Sequence, residues 1–320
     1  MNIRAFIEQH YRHFNAGSLR DAARAYVAHK RSGGLMFVTL AGAMSTAELG
    51  LSLAPMIRAG MIDAICCTGA NLEEDLFNAI AHKQYKRLEY YRDLTPADEK
   101  QLLEQGLNRV TDTCIPEEHA MLTLERFVTR EWLAASRKGK ARFPHEYLFD
   151  VVADPAFQGS FEIDRIQSWV LAAAECNIPV FVPGWEDSTL ANKFVAAVVQ
   201  GKLERNCMLS GLDYMQSLIK WYQTQSQQAS IGFFQIGGGI AGDFPICVVP
   251  LMAQDLQLET PLWGYFCQIT DAQESYGGYS GALPNEKITW GKLDIDTPKY
   301  VIHSDATIVA PLIFHYVLEA

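Results

Sequence analysis

The apolar positions of this chain fall into two textures. Between residues 3 and 31 they recur at helical spacing, at Ile3, Phe6, Ile7, Tyr11 and Phe14, then Ala22, Ala23 and Tyr26. That spacing predicts two amphipathic helices broken at Gly17-Ser18. From Gly33-Gly34 onward, short apolar and partly β-branched runs end in small residues. Leu35–Leu40 ends at Ala41-Gly42-Ala43, and 62–67 ends at Thr68-Gly69-Ala70-Asn71. Further runs at 177–183, 230–236, 263–270 and Lys299–His303 complete a set of six predicted strands. Helix-like segments separate them, at about 45–60, from Leu72, after Leu190, from about 243 to 256, and after Ser304. Strand, small-residue turn, helix and strand in repetition predict an α/β fold: a doubly wound, mostly parallel, Rossmann-like sheet. Residues 83–176 read as mostly helical and charge-laced. Thr95-Pro96-Ala97-Asp98 opens one helix there and Pro116-Glu117-Glu118 another. With no clean linker, the organisation expected is a helical extension at 1–32 and a single domain at 33–320.

Composition narrows the function classes. Half the residues are hydrophobic (49%) and a fifth charged (20%), as in a soluble globular chain. A formal net charge of −10 argues against non-specific nucleic-acid binding and suits a cationic partner. The seven cysteines are scattered and form no C-x-x-C pair, which predicts a reducing compartment and no metal site. No leader pattern opens the chain. Its longest apolar stretch, around 50–67, is interrupted by Arg58 and Asp63, so a cytoplasmic protein off the membrane is expected.

Candidate chemistry concentrates in 275–292. The first half, Ser275-Tyr276-Gly277-Gly278-Tyr279-Ser280-Gly281-Ala282, lets backbone approach a ligand closely. The second half places Glu286 ahead of Trp290-Gly291-Lys292. A lysine desolvated beside an indole suits imine formation, which needs an uncharged amine. The alternative reading is an exposed loop whose lysine lies over the tryptophan. Upstream, Gly237-Gly238-Gly239-Ile240-Ala241-Gly242 satisfies G-x-G-x-x-G directly after a predicted strand, with Asp243-Phe244-Pro245 read as a cap and first-turn proline. At 68–75, small residues open a helix that carries Glu73, Glu74 and Asp75. Its amide groups are candidates for phosphate, and the acids for ribose hydroxyls or for the helix N-terminus itself. Either Asp187 or Ser188 caps the helix after 177–183.

Ser280-Gly281-Ala282, Pro284, Glu286 and Trp290-Gly291-Lys292 together resemble the signature of the deoxyhypusine synthase family. The resemblance extends from about Gly34 to the C-terminus and includes four further stretches. They are Thr68–Asp75, Asn177–Leu190, the Gly237–Gly239 turn and Asp305-Ala306-Thr307. It implies NAD as cofactor, contacted by Thr68, Gly69, Glu73, Glu74, Asp187, Thr189, Gly237, Gly238, Gly239, Ser280, Asp305 and Ala306. It also implies a polyamine such as spermidine as donor, and a homotetramer with sites between subunits. Lys292 is the implied nucleophile, with Trp290 beside it and Glu286 holding an ammonium.

The chain departs from the family at several points. Met44-Ser45 stands where the family has Ser-Asn, and Ala70-Asn71 where it has a glycine pair. Asn192, Tyr276 and Tyr279 replace acids. Asp243 and Cys247 replace a histidine and an asparagine that face the substrate, which makes Asp243 a candidate proton acceptor or ammonium holder. The activity expected is therefore NAD-dependent aminobutyl transfer through an imine on Lys292. The acceptor amine is either a lysine of a translation factor or a free diamine, the latter giving a homospermidine-type product. The competing expectation is an NAD-binding scaffold without catalysis.

Overall fold

The computed structural model describes residues 2–320, with Tyr276 described for its backbone only. Nine strands are found among the described residues. They are β1 (Leu35–Leu40), β2 (Ala64–Cys67), β3 (Lys86–Arg87), β4 (Leu107–Val110), β5 (Thr113–Pro116), β6 (Val180–Phe181), β7 (Ile231–Ile236), β8 (Tyr265–Thr270) and β9 (Lys299–His303). Six form one sheet in the order β6-β2-β1-β7-β8-β9, and every pairing in it is parallel. Counting only these six in chain order, the arrangement is 3-2-1-4-5-6, the doubly wound order whose switch point lies between the first and fourth strands. Here that point falls between β1 and β7.

The inner strands are mostly apolar because both faces of the sheet are covered, whereas the edge strand β9 carries Lys299 and an exposed His303. Helices Phe14–Arg31 and Ala306–Leu318 lie on one face, and Gly211–Ser226 and Gly239–Ile246 on the other. Phe181 of β6, Phe37 of β1, Phe233 of β7 and Phe266 of β8 form a row on the second face, which passes over β2 between the first two. Their ring centroids are 5.9, 5.8 and 6.1 Å apart and near-parallel. Trp263 packs edge-on against Phe37 and Phe233 in the same layer.

Four local expectations change. The N-terminal helices are Ile3–His10 and Phe14–Arg31, so the break falls at 11–13 and Gly17 lies inside the second helix. A side chain at Gly17 would lie 3.0 Å from the Arg12 carbonyl, so this glycine serves close approach rather than termination. Phe14–Arg31 packs against the parallel sheet. Tyr26 is fully buried and donates to the Met61 carbonyl at 2.8 Å, and the Tyr265 hydroxyl donates to the Ala22 carbonyl at 3.0 Å.

The region read as mostly helical holds a three-stranded antiparallel sheet, β3-β5-β4. Its strands are only two to four residues long, too short to show alternation. The run at 177–183 contributes only the two-residue edge strand β6. Finally, the helix after the glycine turn begins at Gly239, so Asp243 lies inside it and Pro245 is internal. The capping box at Thr95, by contrast, forms as its sequence predicts.

Among the described residues, no helix is long and apolar enough to cross a membrane, and no group of three metal-ligating side chains converges.

Candidate active site

A crevice of about 1170 Å³ opens beyond the carboxyl ends of the parallel strands. Its floor is the turn after β1 (Ala41 to Glu48) and Ile236-Gly237 after β7. One side is formed by Thr270-Asp271 and by His303 to Thr307. The accessory sheet supplies the opposite wall through Arg87, Tyr91 and the hairpin residues Val110 to Thr113. Gly237 takes φ of 73°, and a Cβ there would lie 3.0 Å from that of Ala41, so the turn needs glycine on both counts.

Loop 275–292 closes on this turn from β8. A Cβ on Gly238 would sit 2.0 Å from the Ser280 hydroxyl oxygen, and that oxygen accepts from the Gly239 amide at 3.3 Å. Two buried glutamines anchor the contact. Gln235 and Gln268 face each other across β7 and β8, and both donate to the Gly237 carbonyl, at 2.8 and 3.1 Å. Gln268 also donates to the Ser280 carbonyl at 2.7 Å, and the Tyr279 hydroxyl donates to Gln235 Oε1 at 2.7 Å. Neither glutamine belongs to a recognisable motif. The available signal was a lone amide near the end of each of two apolar strands, IGFFQI and YFCQIT.

Lys292 is only 6% exposed. Its Nζ lies 3.4 Å from Asp243 Oδ1, one turn into the helix that leaves the glycine turn. The Tyr279 and Trp290 rings lie 5.5 and 5.8 Å from the same nitrogen. Cys247 completes the group, with its Sγ 3.5 Å from Asp243 Oδ1. Burial pushes this thiol up, and the Lys292 charge opposes that effect. Trp290, expected to enclose the lysine, is 61% exposed, and Tyr279 is the half-buried, more enclosed ring of the pair. Glu286 is exposed at the start of the short helix Glu286–Thr289.

The cofactor candidates divide. Gly237, Asp305 and Ala306 line the crevice, and Gly238, Gly239 and Ser280 continue from Gly237. Asp305 is exposed and caps helix Ala306–Leu318 by accepting from the Thr307 amide at 2.8 Å. Thr68 and Gly69 are engaged within the fold. The Thr68 hydroxyl donates to the Gly42 carbonyl at 2.7 Å, and a Cβ on Gly69 would meet Ser188 at 2.7 Å.

Glu73 and Glu74 also turn inward. Glu73 accepts from the Thr189 and Leu190 amides at 2.9 and 2.8 Å, so it caps helix Thr189–Val199 together with Ser188. Glu74 accepts from the Thr46 hydroxyl at 2.6 Å. Burial pushes both carboxyls up to about 7. Asp187 is exposed beside the Ser188 cap. Met44-Ser45 and Asn71 differ from the expected family residues, yet they fit each other. Ser45 donates to the Asn71 carbonyl at 2.7 Å and receives the Trp169 indole N–H at 3.0 Å.

Fold and site define a doubly wound α/β protein with a ligand crevice at the switch point and a buried amine–carboxylate pair beside its glycine turn. The family model for deoxyhypusine synthase matches residues 7–317, and the chain belongs to that family of transferases. The Deoxyhypusine synthase-like protein of Cyanothece sp. is 31% identical, over 98% of this chain and 78% of its own length. Probable deoxyhypusine synthase 1 of Methanosarcina acetivorans is 27% identical, over 94% of this chain and 85% of that one. Among solved structures, a candidate deoxyhypusine synthase from Entamoeba histolytica superposes with a TM-score of 0.60. It covers all of this chain and 94% of its own at 11% identity, a likeness of fold.

Proposed function

We propose that this protein is an NAD-dependent aminobutyl transferase in which Lys292 carries the transferred fragment as an imine. The observation that carries this reading is the buried Lys292 amine beside Asp243, on the helix that leaves the glycine turn. The crevice fits a dinucleotide. It lies at the switch point, exceeds the usual volume of a small-ligand pocket, and has a glycine turn running into a helix N-terminus. Gly237, Gly238 and Gly239 would hold the pyrophosphate and Asp305 a ribose hydroxyl. When bound there, NAD supplies a hydride acceptor for the carbon beside an amine nitrogen, and returns the hydride to the final product.

The chain's own residues account for the rest. The Lys292 nitrogen adds to the electrophilic carbon of the oxidised polyamine. The bond from that carbon to the departing diamine then breaks, and the diamine leaves with a proton. Asp243, with Oδ1 3.4 Å from that nitrogen, would hold the lysine in position and accept or return that proton. Glu286, exposed at the loop surface, would hold the ammonium at the far end of the polyamine. An acceptor amine, either a lysine of a partner protein or a free diamine, displaces Lys292 and takes the fragment.

Incubation with NAD and spermidine, followed by borohydride, tests the reading. Reduction should leave a butylamine-sized mass on the Lys292 fragment, and Lys292→Met should lower that adduct about a thousandfold or more. NAD bound without any adduct, across a panel of amine donors, would mean a scaffold instead. Parallel reactions with a free diamine and with lysine-bearing proteins identify the acceptor.

A further inference from the structure

Two buried amides stand behind the lysine loop, and they divide its support. Gln235 and Gln268 are 0% and 1% exposed, side by side on β7 and β8. Gln268 holds loop backbone. Its Nε2 donates to the Ser280 carbonyl at 2.7 Å, and the Thr270 hydroxyl donates to the same carbonyl at 3.1 Å. Gln235 holds a side chain. Its Nε2 donates to the Gly237 carbonyl at 2.8 Å, which leaves Oε1 to accept from the Tyr279 hydroxyl at 2.7 Å. Both polar ends of this buried amide are thereby used.

The contact lies over Gly242, on helix Gly239–Ile246 immediately before Asp243. A Cβ on Gly242 would lie 2.8 Å from Gln235 Cδ, 2.9 Å from its Oε1 and 3.0 Å from Tyr279 Cε1. Gly242 is not among the left-handed glycines, so close approach alone accounts for the missing side chain. The Tyr279 ring in turn lies 5.5 Å from Lys292 Nζ, within cation–π range, and Lys292 reaches Asp243 at 3.4 Å. Strand, helix and loop therefore meet around one phenol. Gln235 comes from β7, Gly242 from the helix that carries Asp243, and Lys292 from the far end of the loop.

We propose that Gln235 is a positioning residue for the chemistry at Lys292. Through the Tyr279 hydroxyl it fixes the ring beside the lysine amine, and that ring keeps Nζ facing Asp243. The Gly237 carbonyl retains Gln268 as a donor at 3.1 Å, so loss of the Gln235 amide falls mainly on Tyr279. A phenol without its acceptor turns toward water, and a small displacement of a reacting nitrogen costs much of the rate. The inference deepens the transferase reading and rests on its assignment of Lys292.

The test compares Gln235→Met, Tyr279→Phe and the double variant in the full chain. With saturating NAD and spermidine, the rate of borohydride-trapped adduct at Lys292 should fall about tenfold in each single variant, with NAD affinity unchanged. The double variant should be no slower than either single one, because both substitutions break the same bond. Propionaldehyde with cyanoborohydride labels lysines without any donor. By that measure Lys292, only 6% exposed, should label roughly threefold faster in both single variants, while the exposed Lys138 keeps its native rate. General loosening of the fold would speed both lysines together.

Single variants that trap adduct at the native rate overturn the inference and leave the transferase reading standing. Losses that multiply in the double variant overturn it too, since the two residues would then act separately, as does an equal gain in labelling at Lys138. A native chain that traps no adduct from any donor removes the transferase reading. The aldehyde then decides: faster labelling of Lys292 in both variants supports the positioning role, and unchanged labelling overturns it. Tyr279→Phe, which keeps the ring, carries the same comparison where Gln235→Met fails to fold.

Discussion

Two charged segments of this chain behave in opposite ways. Glu73, Glu74 and Asp75 lie on helix Gly69–Ala81, and Lys287 and Lys292 lie on the loop after β8. All five residues are buried. The acids are answered from within the fold. Glu73 takes two helix amides, Glu74 a threonine hydroxyl, and Asp75 the Ser168 hydroxyl at 2.5 Å with the Trp169 and Val170 amides at 3.3 and 3.2 Å. The lysines share one carboxylate, one carbonyl and three aromatic rings. A buried ion with a full set of partners builds structure, whereas one with few partners retains reactivity. The acidic run thus ties helices Trp169–Glu175 and Thr189–Val199 to helix Gly69–Ala81, and the lysine loop is where the proposed chemistry lies.

The comparison breaks most visibly at Asp75. Asp75→Ala strands a hydroxyl and two amides in a buried place and should cost about 3 kcal/mol or more, read as a lower midpoint in urea unfolding. Lys292 labelling should survive this change in the fraction that remains folded. A loss of labelling greater than the loss of fold would mean that the acidic run takes part in the chemistry.

Gly238→Ala probes the other segment. The new methyl group would collide with Ser280 and push the loop off the turn, so the adduct at Lys292 should fall about a hundredfold with little change in unfolding midpoint. An unchanged adduct would uncouple the loop from the turn.

The smallest effect expected is a pH dependence. Burial raises Glu74 from 4.5 to about 7, so the folded state holds a proton that the unfolded chain has released. The associated stability is present below about pH 4.5 and is lost as pH rises through 7, on the order of 2–3 kcal/mol. Glu74→Gln can still accept from Thr46. The difference in unfolding free energy between native and variant should therefore change across that window and be flat above it. A flat difference throughout would mean that Glu74 ionises normally.

Much of this was legible in advance. All six parallel strands were located, because an apolar run ending in glycine or small residues marks a buried strand before a crevice turn. The accessory sheet was missed because LNRV and TCIP are short and lack alternation. Asp243 was read as a cap because proline two residues later usually sits in a first turn, yet the glycines let the helix start earlier. Lys292 stood out through its neighbours Trp290 and Gly291, and the enclosing ring proved to be Tyr279. Lys287 carried no local signal, since a buried lysine and a solvated one look alike in a string of letters.

The sequence by itself determined the sheet, its parallel sense, the glycine turn and the family to which the chain belongs, because each depends on runs of neighbouring residues. Only the tertiary structure decided which charges are consumed internally and which stand in reserve. That choice depends on partners distant along the chain: Ser168 for Asp75, Thr189 for Glu73, and Phe266 for Lys287. Burial energies follow from those partners rather than from residue type.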